Sequence, residues 1–241
     1  MNLDLNNYQI NTDGHPLDQE DYSVRVSDCE LEVLFRNQKE RLLELIQSYP
    51  YVCGCVAWLT DMEVLSTMAV MKHVSIIVQK EDFLRPDLNN SSDFYMRLRK
   101  AYEALPTTFN RYGVEGIVGE LSWGSDPTLD SVRCVGNYNS EKKTAFPRMH
   151  NKFLVFTEGA PPEVEFVNEH RRTLGISDNA CVWTGSYNIS NTATKSLENT
   201  VIIHSKKVAQ AYFNEWAQIT ALSEPLDWES EWSAPEWRIG T

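Results

Sequence analysis

The chain has 241 residues, enough for one α/β domain with a sizeable core, and its 42% hydrophobic content is ordinary for a globular protein. No window approaches the ~20 apolar residues of a membrane-crossing helix, and the opening Met-Asn-Leu-Asp-Leu-Asn-Asn has neither the basic nor the apolar region of a secretory signal, so the expectation is a cytoplasmic protein with no membrane partner. The formal net charge of −12 argues at first sight against a polyanionic partner.

Residues 1–23 are polar and aperiodic and read as a loosely docked leader. Asp28 is placed to cap a helix running to about Tyr49, because Leu31, Leu34, Phe35, Leu42, Leu45 and Ile46 recur at helical spacing and Pro50 ends the pattern. Tyr51-Val-Cys-Gly-Cys-Val-Ala-Trp-Leu59 is a continuous apolar run, the signature of a strand covered on both faces. Thr60-Asp-Met-Glu63 has the form of a capping box that opens a short helix to Lys72, and His73-Val-Ser-Ile-Ile-Val-Gln79 is the next strand. Strand, helix and strand in that order predict a parallel pair with a right-handed crossover. Residues 80–92 read as a loop feeding a helix to about Leu105. Further strands are expected near Gly113–Leu121, Ser131–Val135, Lys152–Phe156, Ala180–Thr184 and Thr200–His204. Ser205 caps a last amphipathic helix to about Leu222, with Val208, Ala211, Tyr212, Trp216 and Ile219 on one face. Residues 223–241 form an acidic tail holding Trp228, Trp232 and Trp237. The pattern divides the chain into a leader (1–23), one domain (24–222) and this tail, and predicts an α/β fold with a mixed sheet sandwiched between helical layers. The five cysteines, Cys29, Cys53, Cys55, Cys134 and Cys181, are odd in number and mostly lie in apolar runs, as expected of buried free thiols in a reducing compartment.

The chemistry concentrates in Met149-His150-Asn151-Lys152-Phe153-Leu154-Val155-Phe156. On a strand, His150 and Lys152 point to the same side. An imidazole beside a fixed ammonium suits a phosphoryl group, since the ring can attack phosphorus or move a proton while the ammonium neutralises non-bridging oxygens. Lys152 inside an apolar run is costly to bury unpaired, a cost more easily borne if it faces an anion. Gly185-Ser186-Tyr187-Asn188 follows another apolar run and supplies a hydroxyl and a carboxamide that can hydrogen-bond phosphate oxygens. His73 and His204 flank strands without such companions and read as structural.

The two motifs resemble those of the phospholipase D, or HKD, superfamily, His-x-Lys-x4-Asp followed by Gly-Ser-x-Asn. His150, Lys152, Gly185, Ser186 and Asn188 match, and Glu198-Asn199 corresponds to the Glu-Asn pair that follows. The resemblance covers about residues 28–222. Two departures stand out. Thr157 occupies the position of the motif aspartate, and the interval to Gly185 carries extra residues, roughly 158–178. If that aspartate serves to hold the loop after the strand, a threonine hydroxyl can replace part of its hydrogen bonding; if its charge tunes the site, activity is weakened.

The resemblance implies the phospholipase D-like fold, His150 as nucleophile, Lys152, Ser186 and Asn188 as phosphate-holding groups, and Glu198 as the carboxylate that accepts a hydrogen bond from Nδ1 of the histidine. The family works as two halves around one phosphate, so a chain with one half is expected to form its site at a homodimer interface, with no metal and no cofactor. Nucleic acid, DNA or RNA, is the expected substrate, because short single-motif members resemble the nucleases. Charge is compatible with it: the leader and the tail each carry five acids, leaving 24 acids against 21 bases between them. Lys142, Lys143, Arg148 and Lys152 make the approach to the site locally basic, either as a polyanion-binding mouth or as a solvated loop. The first reading is therefore a metal-independent phosphodiesterase, most simply a nuclease. The alternatives are a catalytically weak or inactive binding and regulatory module, which Thr157, the insertion and the tail would suit, and a phospholipase. The tail can pack on the protein's own core, restrain access to the basic mouth, or receive a protein partner.

Overall fold

The computed structural model describes residues 10–12, 15–17, 29–85, 93–107, 130–138, 146–158 and 176–228. The first elements are a short antiparallel pair, β1 (Ile10–Thr12) and β2 (His15–Leu17), inside the stretch expected to be an aperiodic leader. Next come β3 (Glu30–Leu34), α1 (Gln38–Ser48), β4 (Tyr51–Val56), α2 (Met62–Met68), β5 (His73–Gln79), α3 (Asp93–Glu103), β6 (Val132–Val135), β7 (Lys152–Thr157), β8 (Cys181–Gly185), β9 (Thr200–His204), α4 (Lys206–Leu222) and β10 (Glu224–Pro225). The expected strand at 113–121 lies outside the described residues, as do Lys142, Lys143, Trp232, Trp237 and most of the insertion at 158–178.

β3 to β10 form one eight-stranded mixed sheet in the order β10-β6-β5-β4-β7-β8-β9-β3. β4 and β5 are parallel and flank α2, the strand–helix–strand unit the sequence predicts. β4, β7, β8 and β9 pair antiparallel in turn. Period-two alternation then separates two cores. Val52, Val56, Ile76, Val78, Leu154, Phe156 and Trp183 pack with α1, α2 and α3 on one face. Cys53, Cys55, Ile77, Phe153, Val155 and Val182 pack with Ala209, Phe213, Trp216 and Ala217 of α4 on the other. The fold is an α/β sandwich of one mixed sheet between helical layers. Both faces of β4, β5 and β7 are covered, which is why these strands are apolar throughout.

Two local expectations are corrected. The helix expected from Asp28 to Tyr49 is only its second half. Glu30–Leu34 is an edge strand registered antiparallel on Thr200–His204, and Asn37, in the left-handed region at φ 58°, turns the chain into α1. Leu31, Leu34 and Phe35 fit a helical spacing with Leu42 by chance; on the strand, Leu31 and Val33 share a face and are exposed, whereas Leu34 is partly buried. At α2 the cap is Asp61 and not Thr60, its carboxylate accepting the N–H groups of Glu63 and Val64. Ser205 caps α4 as expected, accepting from Val208 N–H.

All five cysteines are free thiols. Burial pushes Cys181 up to about 11 and Cys134 up to about 12, so both stay protonated and pack as small apolar groups. The sheet continues into the segment set apart as an acidic tail: Glu224 and Pro225 pair with Cys134 and Arg133. Trp228 packs against Tyr102 at 6.4 Å between ring centroids, with the Arg99 guanidinium 5.8 Å from its ring. At least the first tail tryptophan thus docks on the protein's own core.

Candidate active site

Pairing register brings the chemical groups to one end of the sheet. Val56, the last residue of β4, faces Lys152, the first of β7. Phe153 faces Thr184 and Gly185 faces Thr200. The C-terminal ends of the parallel strands β5 and β6 meet there too, through Gln79 and Val135. Ligand crevices in α/β sheets form outside the carboxyl ends of parallel strands, and His150, Lys152, Ser186, Asn188 and Glu198 gather at that edge.

His150 is exposed and Lys152 is buried. The Lys152 ammonium lies 3.3 Å from Nδ1 and 3.4 Å from Nε2 of His150 and donates to the His150 carbonyl at 3.0 Å. Thr184 Oγ1 donates to the Lys152 carbonyl at 2.9 Å, tying β7 to β8 beside the site. The His150 pKa is lowered, first by desolvation and then by the charges of Lys152 and Arg148, with Glu81 opposing. Its ring is held toward the neutral form, the form a nucleophile needs. Burial lowers the Lys152 pKa, and the Glu198 carboxylate acts in the opposite direction.

The Gly185–Asn188 segment is shaped by alternation. Tyr187 is buried edge-on against Trp183 at 5.7 Å, and the Ile189 carbonyl accepts from Thr60 and Asp61 N–H at 2.7 and 3.0 Å. With these two residues anchored inward, Ser186 and Asn188 are left at the rim. Gly185 is required by close approach: a Cβ there would stand 2.1 Å from the Asn199 carbonyl oxygen. The Ser186 and Asn199 backbones then lock together, Ser186 N–H donating to Asn199 O and Asn199 N–H to Ser186 Oγ, both at 3.0 Å. The Asn188 Oδ1 atom is buried and has no hydrogen-bond partner among the described residues.

Glu198 departs from expectation. Its carboxylate accepts a hydrogen bond from Ser186 Oγ, and its carbonyl accepts from Gln38 Nε2 at 2.8 Å. No hydrogen bond joins Glu198 to His150 among the described residues, so here its charge acts on Lys152 and its oxygen on Ser186.

Thr157 ends β7 at the edge remote from Lys152, five residues away or about 17 Å along the strand. It exchanges a 2.8 Å hydroxyl contact with Ser177 and accepts Ser177 N–H at 3.0 Å. Ser177 Oγ also accepts Glu158 N–H at 3.1 Å and donates to Asn179 at 2.7 Å. Threonine therefore ties Ser177 to the end of β7 and lies far from His150 and Lys152.

Three supporting residues carry no motif. Gln38 begins α1 and holds Glu198. Gln79 ends β5 and accepts Met149 N–H at 2.7 Å. Glu81 pairs with Arg148, two residues before His150. The only trace of Gln79 in the sequence is a polar residue closing an otherwise apolar strand, and Gln38 has none. His73 is fully buried, its pKa depressed to about 3 by desolvation, and His204 bonds Glu32 at 2.7 Å at the far edge; both lie outside the site. Among the described residues, no three His, Cys, Asp or Glu side chains are grouped to hold a metal ion, and no helix is long and apolar enough to cross a membrane.

No family model matches the sequence. The chain is 32% identical over 222 residues to uncharacterized protein L381 of Acanthamoeba polyphaga mimivirus, a match covering 87% of this chain and 71% of that protein. Among solved structures, it is similar to Nuc, a phospholipase D family member from Salmonella typhimurium, at 14% identity and TM-score 0.46 over 82% of this chain and 97% of the other. It is also similar to NucT from Helicobacter pylori, at 12% identity and TM-score 0.48 over 81% and 98%. Phosphatidylserine synthase from Haemophilus influenzae Rd KW20 is similar at 13% identity and TM-score 0.41 over 88% and 43%.

Proposed function

The chain belongs to the family of the mimivirus protein L381, and within it we propose that this member is a phospholipase D-like phosphodiesterase, a nuclease acting through a phosphohistidine at a homodimer interface. The observation that carries the reading is the Lys152 ammonium set against a histidine ring of lowered pKa, at the sheet edge where Ser186, Asn188 and Glu198 also converge.

In this mechanism a neutral His150 attacks phosphorus, forming a nitrogen–phosphorus bond as the bond to the leaving oxygen breaks. His150 of a second copy protonates that oxygen. The same ring, now neutral, takes a proton from water; the water attacks the phosphohistidine and releases a phosphomonoester and free His150. Lys152 neutralises the charge that builds on the non-bridging oxygens, in a buried setting where a fixed cation acts strongly. Ser186 and Asn188 hydrogen-bond the same group, and Glu198 keeps Ser186 and Lys152 oriented. The covalent route runs on these side chains. Nucleic acid is the proposed substrate, supported by Arg148, His150 and Lys152 recurring at every second residue, a spacing suited to a polyanion backbone.

Single-stranded DNA, RNA, duplex DNA and a chromogenic phosphodiester, each assayed with and without a chelator, test this reading. Hydrolysis of a nucleic acid should persist in chelator and vanish in His150→Ala. Lys152→Ala should lose 10²–10³-fold in kcat, about 3 kcal/mol by analogy with single oxyanion donors. Complete inhibition by chelator with rescue by a divalent ion would defeat it, and cleavage of the dye alone would defeat the nuclease assignment.

A further inference from the structure

The backbone around His150 is fastened at both neighbouring residues, and both fastenings lead to one residue, through its side chain on one side and its backbone N–H on the other. Before it, Met149 N–H donates to Oε1 of Gln79 at 2.7 Å. After it, the Asn151 carbonyl accepts from Ala57 N–H at 3.0 Å, and the Ala57 carbonyl accepts from Gln79 N–H at 3.2 Å. Gln79, Met149, His150, Asn151 and Ala57 therefore form a closed ring of covalent and hydrogen bonds, with His150 at its apex. We infer that Gln79 is the positioning residue for His150, setting the place from which the imidazole meets phosphorus; the inference rests on the proposed role of His150.

The carboxamide is built in. Gln79 is fully buried, and its Nε2 donates to the Lys80 carbonyl at 3.0 Å and the Asn137 carbonyl at 3.2 Å. Both ends of the amide are thus used, which fixes its orientation. Gly136 makes room for it: a Cβ there would stand 2.7 Å from Oε1 and 3.0 Å from Nε2, and the residue holds φ +99°, which side chains disfavour. The segment entering the site is secured along the same side. Gly136 bridges Arg148, Asn137 N–H donates to the Pro147 carbonyl at 3.2 Å, Asn137 Nδ2 donates to the Phe146 carbonyl at 2.8 Å, and Glu81 pairs with Arg148. Of the side chains among these contacts, Gln79 alone reaches a residue next to the nucleophile. An apolar side chain of similar length would leave Met149 N–H and two carbonyls unpaired in a buried place, and a misplacement near 1 Å at a reacting group costs on the order of 10²-fold in rate.

The test compares wild type with Gln79→Leu, Gln79→Glu and Gly136→Ala in the full chain, using the chromogenic phosphodiester, histidine NMR titration and amide exchange. Gln79→Leu should lower kcat on the order of 10- to 100-fold with KM changed less than threefold, and should release Met149 N–H to faster exchange. The His150 ring should titrate nearer its ordinary value as it moves relative to Lys152, Arg148 and Glu81. Gln79→Glu keeps the acceptor for Met149 and should recover most of the exchange protection; it also decides the matter if Gln79→Leu does not fold. Gly136→Ala, which displaces Gln79, should reproduce the Gln79→Leu effects. A folded Gln79→Leu protein with unchanged kcat, Met149 exchange and His150 titration overturns the inference, as does a Gln79→Glu protein that loses Met149 protection while keeping wild-type kcat. If wild type cleaves no phosphodiester, the functional reading fails by itself, and Met149 exchange with the His150 titration still decides whether Gln79 holds the histidine.

Discussion

At the scale of single residues, the site depends on charges that share one extended segment. Arg148, His150 and Lys152 follow one another at every second residue, and the two cations join burial in lowering the His150 pKa. With its pKa lowered from the ordinary 6.5, the ring gives up its proton at a more acidic pH than a free imidazole, so the acid limb of kcat/KM should lie below that ordinary value. Arg148→Gln removes one of the depressing charges and leaves the opposing Glu81 carboxylate uncompensated. Both changes raise the His150 pKa, so the acid limb should move upward toward pH 6.5. A pH–rate profile checks this, and a limb that stays put or moves down would show that Arg148 does not act on the ring. Of these three residues, His150 and Lys152 were legible from the sequence because strand alternation alone makes them neighbours. The partner of Glu198 was not, because a carboxylate reached through loops takes whichever donor the fold brings near, and here that donor is Ser186.

At the scale of elements, the shortest strand carries an unusual burden. β10 joins the sheet edge through Glu224 and Pro225, and Glu224 is the ion-pair partner of Lys80, both side chains being more than nine-tenths buried. Lys80 also lies 5.0 Å from the centre of the Tyr138 ring. Ser223 receives Arg133, itself buried, through its hydroxyl at 2.7 Å and its carbonyl at 2.8 Å. Removing one member of a buried pair leaves an uncompensated charge and costs about 3–5 kcal/mol. Glu224→Ala should accordingly lower the melting temperature on the order of 10 °C in a chain of this size. The double replacement Lys80→Met with Glu224→Leu should recover much of that loss, since an apolar pair of similar volume needs no desolvation. Calorimetry of the single and double variants distinguishes this from a dispensable tail: equal melting temperatures for Glu224→Ala and wild type would show that β10 contributes nothing. The sequence marked this region only as acidic and aromatic, because two residues are too few for a periodic signal.

At the scale of the whole molecule, one His-x-Lys and one Gly-Ser-x-Asn segment supply half of the groups the proposed reaction uses, since the attacking and protonating histidines must be distinct. Light scattering at micromolar concentration should therefore give twice 27.7 kDa, and specific activity should fall on dilution below the dimer dissociation constant. A protein that remains monomeric and turns over substrate at undiminished specific activity would refute the shared site. Nucleic-acid affinity should also weaken steeply as salt rises, because phosphate contacts release counterions.

What the sequence by itself determined about this protein was written in short windows. Continuous apolar runs specified β4 as a doubly covered strand and β5 and β7 as strands, Ser205 specified the start of α4, and the two-residue period specified that His150 and Lys152 share a side. What only the tertiary structure decided were the matters settled between distant segments. Residues 30–34 satisfy a helical spacing, but the ladder to β9, some 170 residues away, makes them an edge strand. Thr157 lies away from His150 and Lys152 because register carries it to the other end of β7, and Gln79 reaches Met149 because Gly136 yields the space. Local propensity and period act over a few residues, whereas register and buried polar pairing depend on which backbone groups meet once the sheet has closed.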